Sequence, residues 1–157
     1  MILQIDDWEF DIDEERTKAH SSFAVNTHCT CGYCENYYRA ADQVFPELRL
    51  FLEQFFVELT GPSEMYPFEP TLCFLGYKVY GRILKFGRGP IMVSGVPVMP
   101  TPREPDLFML EVGEMTLPWI LEEDMDEVIS PANEPEFLEN MYRIMIRRGY
   151  GQTMLPS

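Results

Sequence analysis

Residues 72 to 86 read LCFLGYKVYGRILKF, and Tyr77, Val79, Gly81 and Ile83 recur at every second position. That period belongs to a strand with one buried face, and Gly76 inside it marks a bulge. On the amino-terminal side of this strand the spacing changes. From Cys34, the positions Tyr37, Tyr38, Ala41 and Phe45 share one side, with Glu35, Arg39, Asp42 and Gln43 opposite, which predicts an amphipathic helix of about three turns. A second helix opens at Pro46, a favourable first helical residue. It carries Leu48, Phe51, Leu52, Phe55, Phe56 and Leu59 on one face until Gly61-Pro62 stops it.

The flanking segments are strand-like. Leu3 and Ile5, then Trp8, Phe10 and Ile12, alternate with polar neighbours around Asp6-Asp7 and predict a hairpin. Ser22 to Thr27 reads as a short strand after the charged run Asp13 to Lys18, and Thr60 to Thr71 reads as a loop rich in Pro, Gly and Ser. Beyond the turn at residues 87–90, short strands are expected at Ile91 to Val93 and Val96 to Met99. The proline-dense run Pro97 to Pro105 must be an edge or an extended crossing. Leu107 to Leu117 forms a longer strand whose alternation changes face near Gly113, as a second bulge would produce. A final helix is expected from the cap Asn133 to Gly149, with residues 152–157 as a flexible tail. Strands on both sides of a central helical pair, without regular βαβ alternation, predict an α+β fold. It has a mainly antiparallel sheet and a C-terminal helix, in a single domain over residues 1–157.

The 157 residues match one domain of ordinary size. Twenty-six acidic residues against twelve basic ones leave a net charge of −14. That balance opposes binding to a phosphate backbone, so no nucleic-acid partner is expected, and a basic protein is the partner it favours. No stretch approaches the roughly 18 apolar residues of a membrane span, and the amino terminus has no apolar leader segment. The expectation is a soluble, cytoplasmic protein whose cysteines are reduced thiols or ligands.

One local cluster carries chemistry. His28-Cys29-Thr30-Cys31-Gly32-Tyr33-Cys34 puts three thiols and an imidazole in seven residues, at the mouth of a helix. As a metal site it would hold structural Zn²⁺, which requires four soft or borderline donors in a tetrahedron. Cys31 and Cys34 supply a C-x-x-C pair and Cys29 a third donor. Cys73 is the expected fourth, with His28 as substitute; His20 is the other soft candidate. In a second reading, Cys31-Gly32-Tyr33-Cys34 at a helix start resembles the dithiol site of the thioredoxin and glutaredoxin families. That resemblance implies Cys31 as nucleophilic thiolate and Cys34 as resolving thiol, with Val96-Pro97-Val98 in place of the families' cis-proline. In the third reading the thiols are small inert core residues, since Cys34 lies on the apolar helix face and Cys73 beside Leu72 and Phe74.

Other constellations are weaker. The carboxylates at Glu122, Glu123, Asp124, Asp126 and Glu127 lack the spacing of a calcium loop and read as a solvated face. His20 stands in no visible pairing with Ser or Asp, Val93-Ser94-Gly95 is not a nucleophile elbow, and Gly87-Arg88-Gly89 lacks a phosphate-loop continuation. The sequence therefore predicts a non-catalytic binding or regulatory module with a zinc-pinned cysteine turn, and a thiol-disulfide oxidoreductase as the alternative.

Overall fold

The computed structural model describes residues 1–27, 31–69 and 72–121. Within them the chain runs β1 (Ile2–Ile5), β2 (Trp8–Ile12), α1 (Glu14–Asn26), α2 (Gly32–Val44), α3 (Pro46–Glu53), β3 (Glu64–Glu69), β4 (Leu72–Lys85), β5 (Ile91–Val93), β6 (Val96–Glu104) and β7 (Leu107–Thr116). The strands form one seven-stranded sheet in the order β1-β2-β4-β7-β6-β5, with β3 also on β4. Every pairing is antiparallel. The α+β fold expected from the patterning is thus present. The C-terminal helix expected at Asn133 to Gly149 lies outside the described residues.

The 14-residue strand β4 organises the sheet. Its first half pairs with β3 and β7, and its last residues, from Gly81 to Lys85, pair with β2. Gly81 makes that handover: its φ is +147°, and a Cβ there would stand 2.1 Å from the Asp11 carbonyl oxygen. Only glycine fits so close a backbone approach. The bulge lies elsewhere than at Gly76, which pairs regularly with Glu111 and Glu64. It falls where Cys73 and Leu75 face Met115 and Val112, so that β7 carries the extra residue around Gly113. The change of face in β7 follows from it, and Phe108, Leu110 and Val112 on one side of the bulge share a core with Met115 and Leu117 on the other.

That core lies between the sheet and the helical pair. Phe10, Phe55 and Phe108 bring their rings together, with Phe10 5.0 Å from Phe55 and 5.3 Å from Phe108. Beneath α2, the buried hydroxyls of Tyr37 and Tyr77 lie 2.7 Å apart, and both reach the Leu59 carbonyl, at 2.7 and 2.6 Å. This closed polar triangle ties α2, the turn after α3 and β4 together. Burial raises the pKa of both tyrosines, so each stays a hydrogen-bond donor.

Three expected elements differ. Residues expected as a charged run, Asp13 to Lys18, and a strand, Ser22 to Thr27, instead belong to helix α1 and its caps Asp13 and Thr27. Asp13 caps it by accepting from Arg16 N–H at 3.2 Å, and Glu14 and Glu15 occupy the first turn. Its buried stripe is Thr17, Ser21 and Ala24, at helical spacing but without large apolar residues, while Phe23 is exposed. Polar bonds hold α1 in place: Tyr80 N–H donates to Thr17 Oγ1 at 3.0 Å and Glu58 N–H to Ser21 Oγ at 2.9 Å. The second expected helix ends at Glu53, after which a turn containing Phe56 at φ +63° still buries Phe55, Val57 and Leu59. The expected loop Thr60 to Thr71 contains β3, whose Pro67 is tolerated because β3 pairs with β4 alone among the described strands.

The proline run is strand β6. Pro97 faces β5 alone, and Pro100 and Pro102 face β7 alone, so each has one side without a strand partner, where a missing N–H costs no ladder bond. No helix among the described residues is long and apolar enough to cross a membrane.

Candidate functional site

Cys31 is the N-cap residue of α2, extended at φ −65° and ψ 163°, and its side chain is exposed. Its carbonyl accepts from Glu35 N–H at 2.9 Å. No side chain caps this helix start by a hydrogen bond. Three residues on, Cys34 faces inward and is 8% exposed. The C-x-x-C pair thus presents one thiol outward at the positive end of a 13-residue helix and one thiol inward on its first turn.

Both cysteines wall a cleft of about 540 Å³. α1 contributes His20, Phe23, Ala24 and Thr27; α2 adds Tyr33 and Tyr38; the segment into β3 adds Pro62, Ser63 and Met65; Lys78 comes from β4. His20 Nε2 lies 3.0 Å from Ser63 Oγ, and that same oxygen accepts from Lys78 N–H at 3.1 Å. Ser63 therefore has its own hydrogen available for the imidazole, the arrangement that suits a neutral histidine. Desolvation and the nearby Lys78 charge both lower the His20 pKa, in agreement with that state. Tyr33 is shifted the other way, by burial first and by Cys31 second.

Cys73 stands apart from this cleft wall. It is buried in β4, paired with Pro67 and Met115, and desolvation pushes its thiol up to about 12. A thiol held so firmly protonated is a poor nucleophile and gives up its proton to a metal only at a cost. Among the described residues, no three His, Cys, Asp or Glu side chains gather closely enough to hold a metal ion. Cys31, Cys34 and Cys73 therefore do not converge as a donor set. His28 and Cys29 lie outside the described residues. Neither does the sheet around the C-x-x-C supply the parallel βαβ crossover of the dithiol families, since its pairings are all antiparallel.

The sequence reading missed the cleft's polar lining. His20 showed no serine partner in the sequence, whereas Ser63, 43 residues away, is that partner. Nothing in local spacing encodes the pairing, because Pro62-Ser63 reads as turn composition and its meeting with α1 depends on β3 docking to β4. The sequence matches no protein-family model and no curated protein, and the fold matches no solved structure.

Proposed function

We propose that this protein is a non-catalytic binding module whose cleft is shaped by a cysteine turn pinned by one Zn²⁺. The observation that carries the reading is the placement of Cys31 and Cys34 on the first turn of α2, both on the wall of the same cleft. Cys29 and His28, close before them in the chain, would supply the other two donors that structural zinc requires. Cys73, buried and firmly protonated, belongs to the core instead. The ion would fix the turn that joins α1 to α2 and hold the two helices at their cleft spacing. The acidic exterior suits a basic protein partner, with association that weakens as salt rises.

Protein purified without chelator should carry about one zinc per chain, and a strong chelator should lower its melting temperature. Zinc far below one equivalent, together with an unchanged melting temperature, removes the zinc from the reading.

A specific observation favours a second reading, a thiol-disulfide exchanger. Cys31 is exposed at the N-cap and Cys34 is buried one turn on, the asymmetry that separates an attacking thiol from a resolving one. On this reading Cys31 alkylates at neutral pH many times faster than the same cysteine in the urea-unfolded chain. Equal rates eliminate it.

A further inference from the structure

The cleft has a composition unlike the rest of the molecule. The chain carries 26 carboxylates, yet none lines this cleft among the described residues, where Lys78 and His20 stand together. The two neighbouring hollows, of about 400 and 330 Å³, are walled by Glu53 and Glu58, and one of them also by Asp42. Lys78 is half-buried and takes part in none of the ion pairs among the described residues, while Arg16, Lys18, Arg39, Arg49, Arg82 and Arg103 all do. A half-buried cation with no counter-charge among the described residues, set in a cleft of a strongly acidic protein, can pair with an anion. The positive end of the α2 dipole opens on the same space through Cys31 and Tyr33.

The other walls are apolar. Phe23 is 63% exposed although it sits on a helix that packs against the sheet, and with Tyr33 and Met65 it offers flat apolar surface to whatever enters. The volume suits a small molecule, since ligand cavities run from about 300 to 1,000 Å³.

We propose that this cleft binds a small monocarboxylate with an aromatic body. The carboxylate pairs with the Lys78 ammonium, and the ring lies against Phe23 and Tyr33. The inference rests on the reading of the protein as a binding module and names that module's ligand class; it does not depend on the zinc.

The test is calorimetric titration of the full chain with 3-phenylpropionate and with its uncharged counterpart 3-phenylpropan-1-ol. Binding of the acid should exceed that of the alcohol by about tenfold, the scale of one charge-assisted hydrogen bond. K78M should remove the preference, and K78R, which keeps the charge, should retain most of it. Equal binding of acid and alcohol overturns the ligand class while leaving a binding module. Absence of heat from both probes up to about 10 mM, weaker than any useful affinity, overturns the cleft as the site for this ligand class, whereas the binding module falls only if no salt-sensitive association with a basic protein is found.

Discussion

At the scale of single residues, the fold is secured by a few polar groups set in apolar surroundings. Tyr37 and Tyr77 share two hydroxyl hydrogens among three short contacts, with each other and with the Leu59 carbonyl. Removing either hydroxyl leaves a buried partner short of a donor, so Y77F or Y37F should lose about 1–3 kcal/mol in urea unfolding. A loss below about 0.5 kcal/mol would show that the triangle carries little of the stability. Cys73 makes a different prediction. Its thiol is held up at about 12 by burial, against an ordinary value of 9.0. Its folded environment therefore contributes stability at neutral pH that is lost as pH rises from 9.0 toward about 12. C73A should be less sensitive to that alkaline range than the parent protein. Mass-spectrometric footprinting at pH 8 should find Cys73 unmodified in the folded protein and modified in the urea-unfolded chain. His20 works in the opposite direction: its pKa is lowered from 6.5, chiefly by desolvation. The folded state favours the neutral imidazole, so this contribution is present above 6.5 and fades as pH falls below it toward the lowered folded value. Comparison of urea midpoints for H20N and the parent between pH 7 and 5 checks the sign.

At the scale of elements, legibility in the sequence followed side-chain size. The hairpin β1-β2, the helix α2 and strands β4 and β7 carry large apolar residues at a clean period, and the structure has them where the spacing put them, while α3 starts at Pro46 as expected and ends earlier, at Glu53. The second half of helix α1 was read as a strand because the helix buries only small residues, Thr17 and Ser21, which bond to backbone, and Ala24, so no large apolar period marks it. Strand β3 was read as loop because Gly61, Pro62, Ser63 and Pro67 dominate its surroundings, and proline is compatible with a strand paired on one side only. The candidate site shared this limit. Its cysteines were visible as a cluster, whereas His20, Ser63 and Lys78 meet only after α1 and β3 have docked on β4. Asn36 shows how one polar residue joins elements distant in sequence. It is 2% exposed on α2, donates to the Pro118 carbonyl at 3.1 Å and accepts from Ile120 N–H at 2.8 Å, which fastens the chain after β7 to the helix. N36A should cost about 1–3 kcal/mol through the two backbone groups left without it. Hydrogen exchange should quicken at Ile120 before it quickens in β4; unchanged exchange at Ile120 would contradict that role.

At the scale of the whole molecule, the charge and the cleft divide the surface between two tasks. The chain as a whole is acidic, and among the described residues the cleft is lined by Lys78 and His20 and by no carboxylate. The described sheet is antiparallel and lacks the crossover that the dithiol families use, and in the proposed account the cysteines at the start of α2 serve to shape the cleft. That account depends on the turn holding zinc through its own residues and leaving Cys73 to the core. Native mass spectrometry of the intact chain tests it most directly, applied to the parent protein, to C73S and to the double variant C31S/C34S. The parent protein and C73S should each carry one zinc and the double variant none, whereas a zinc-free parent, or zinc retained by the double variant, would contradict the account.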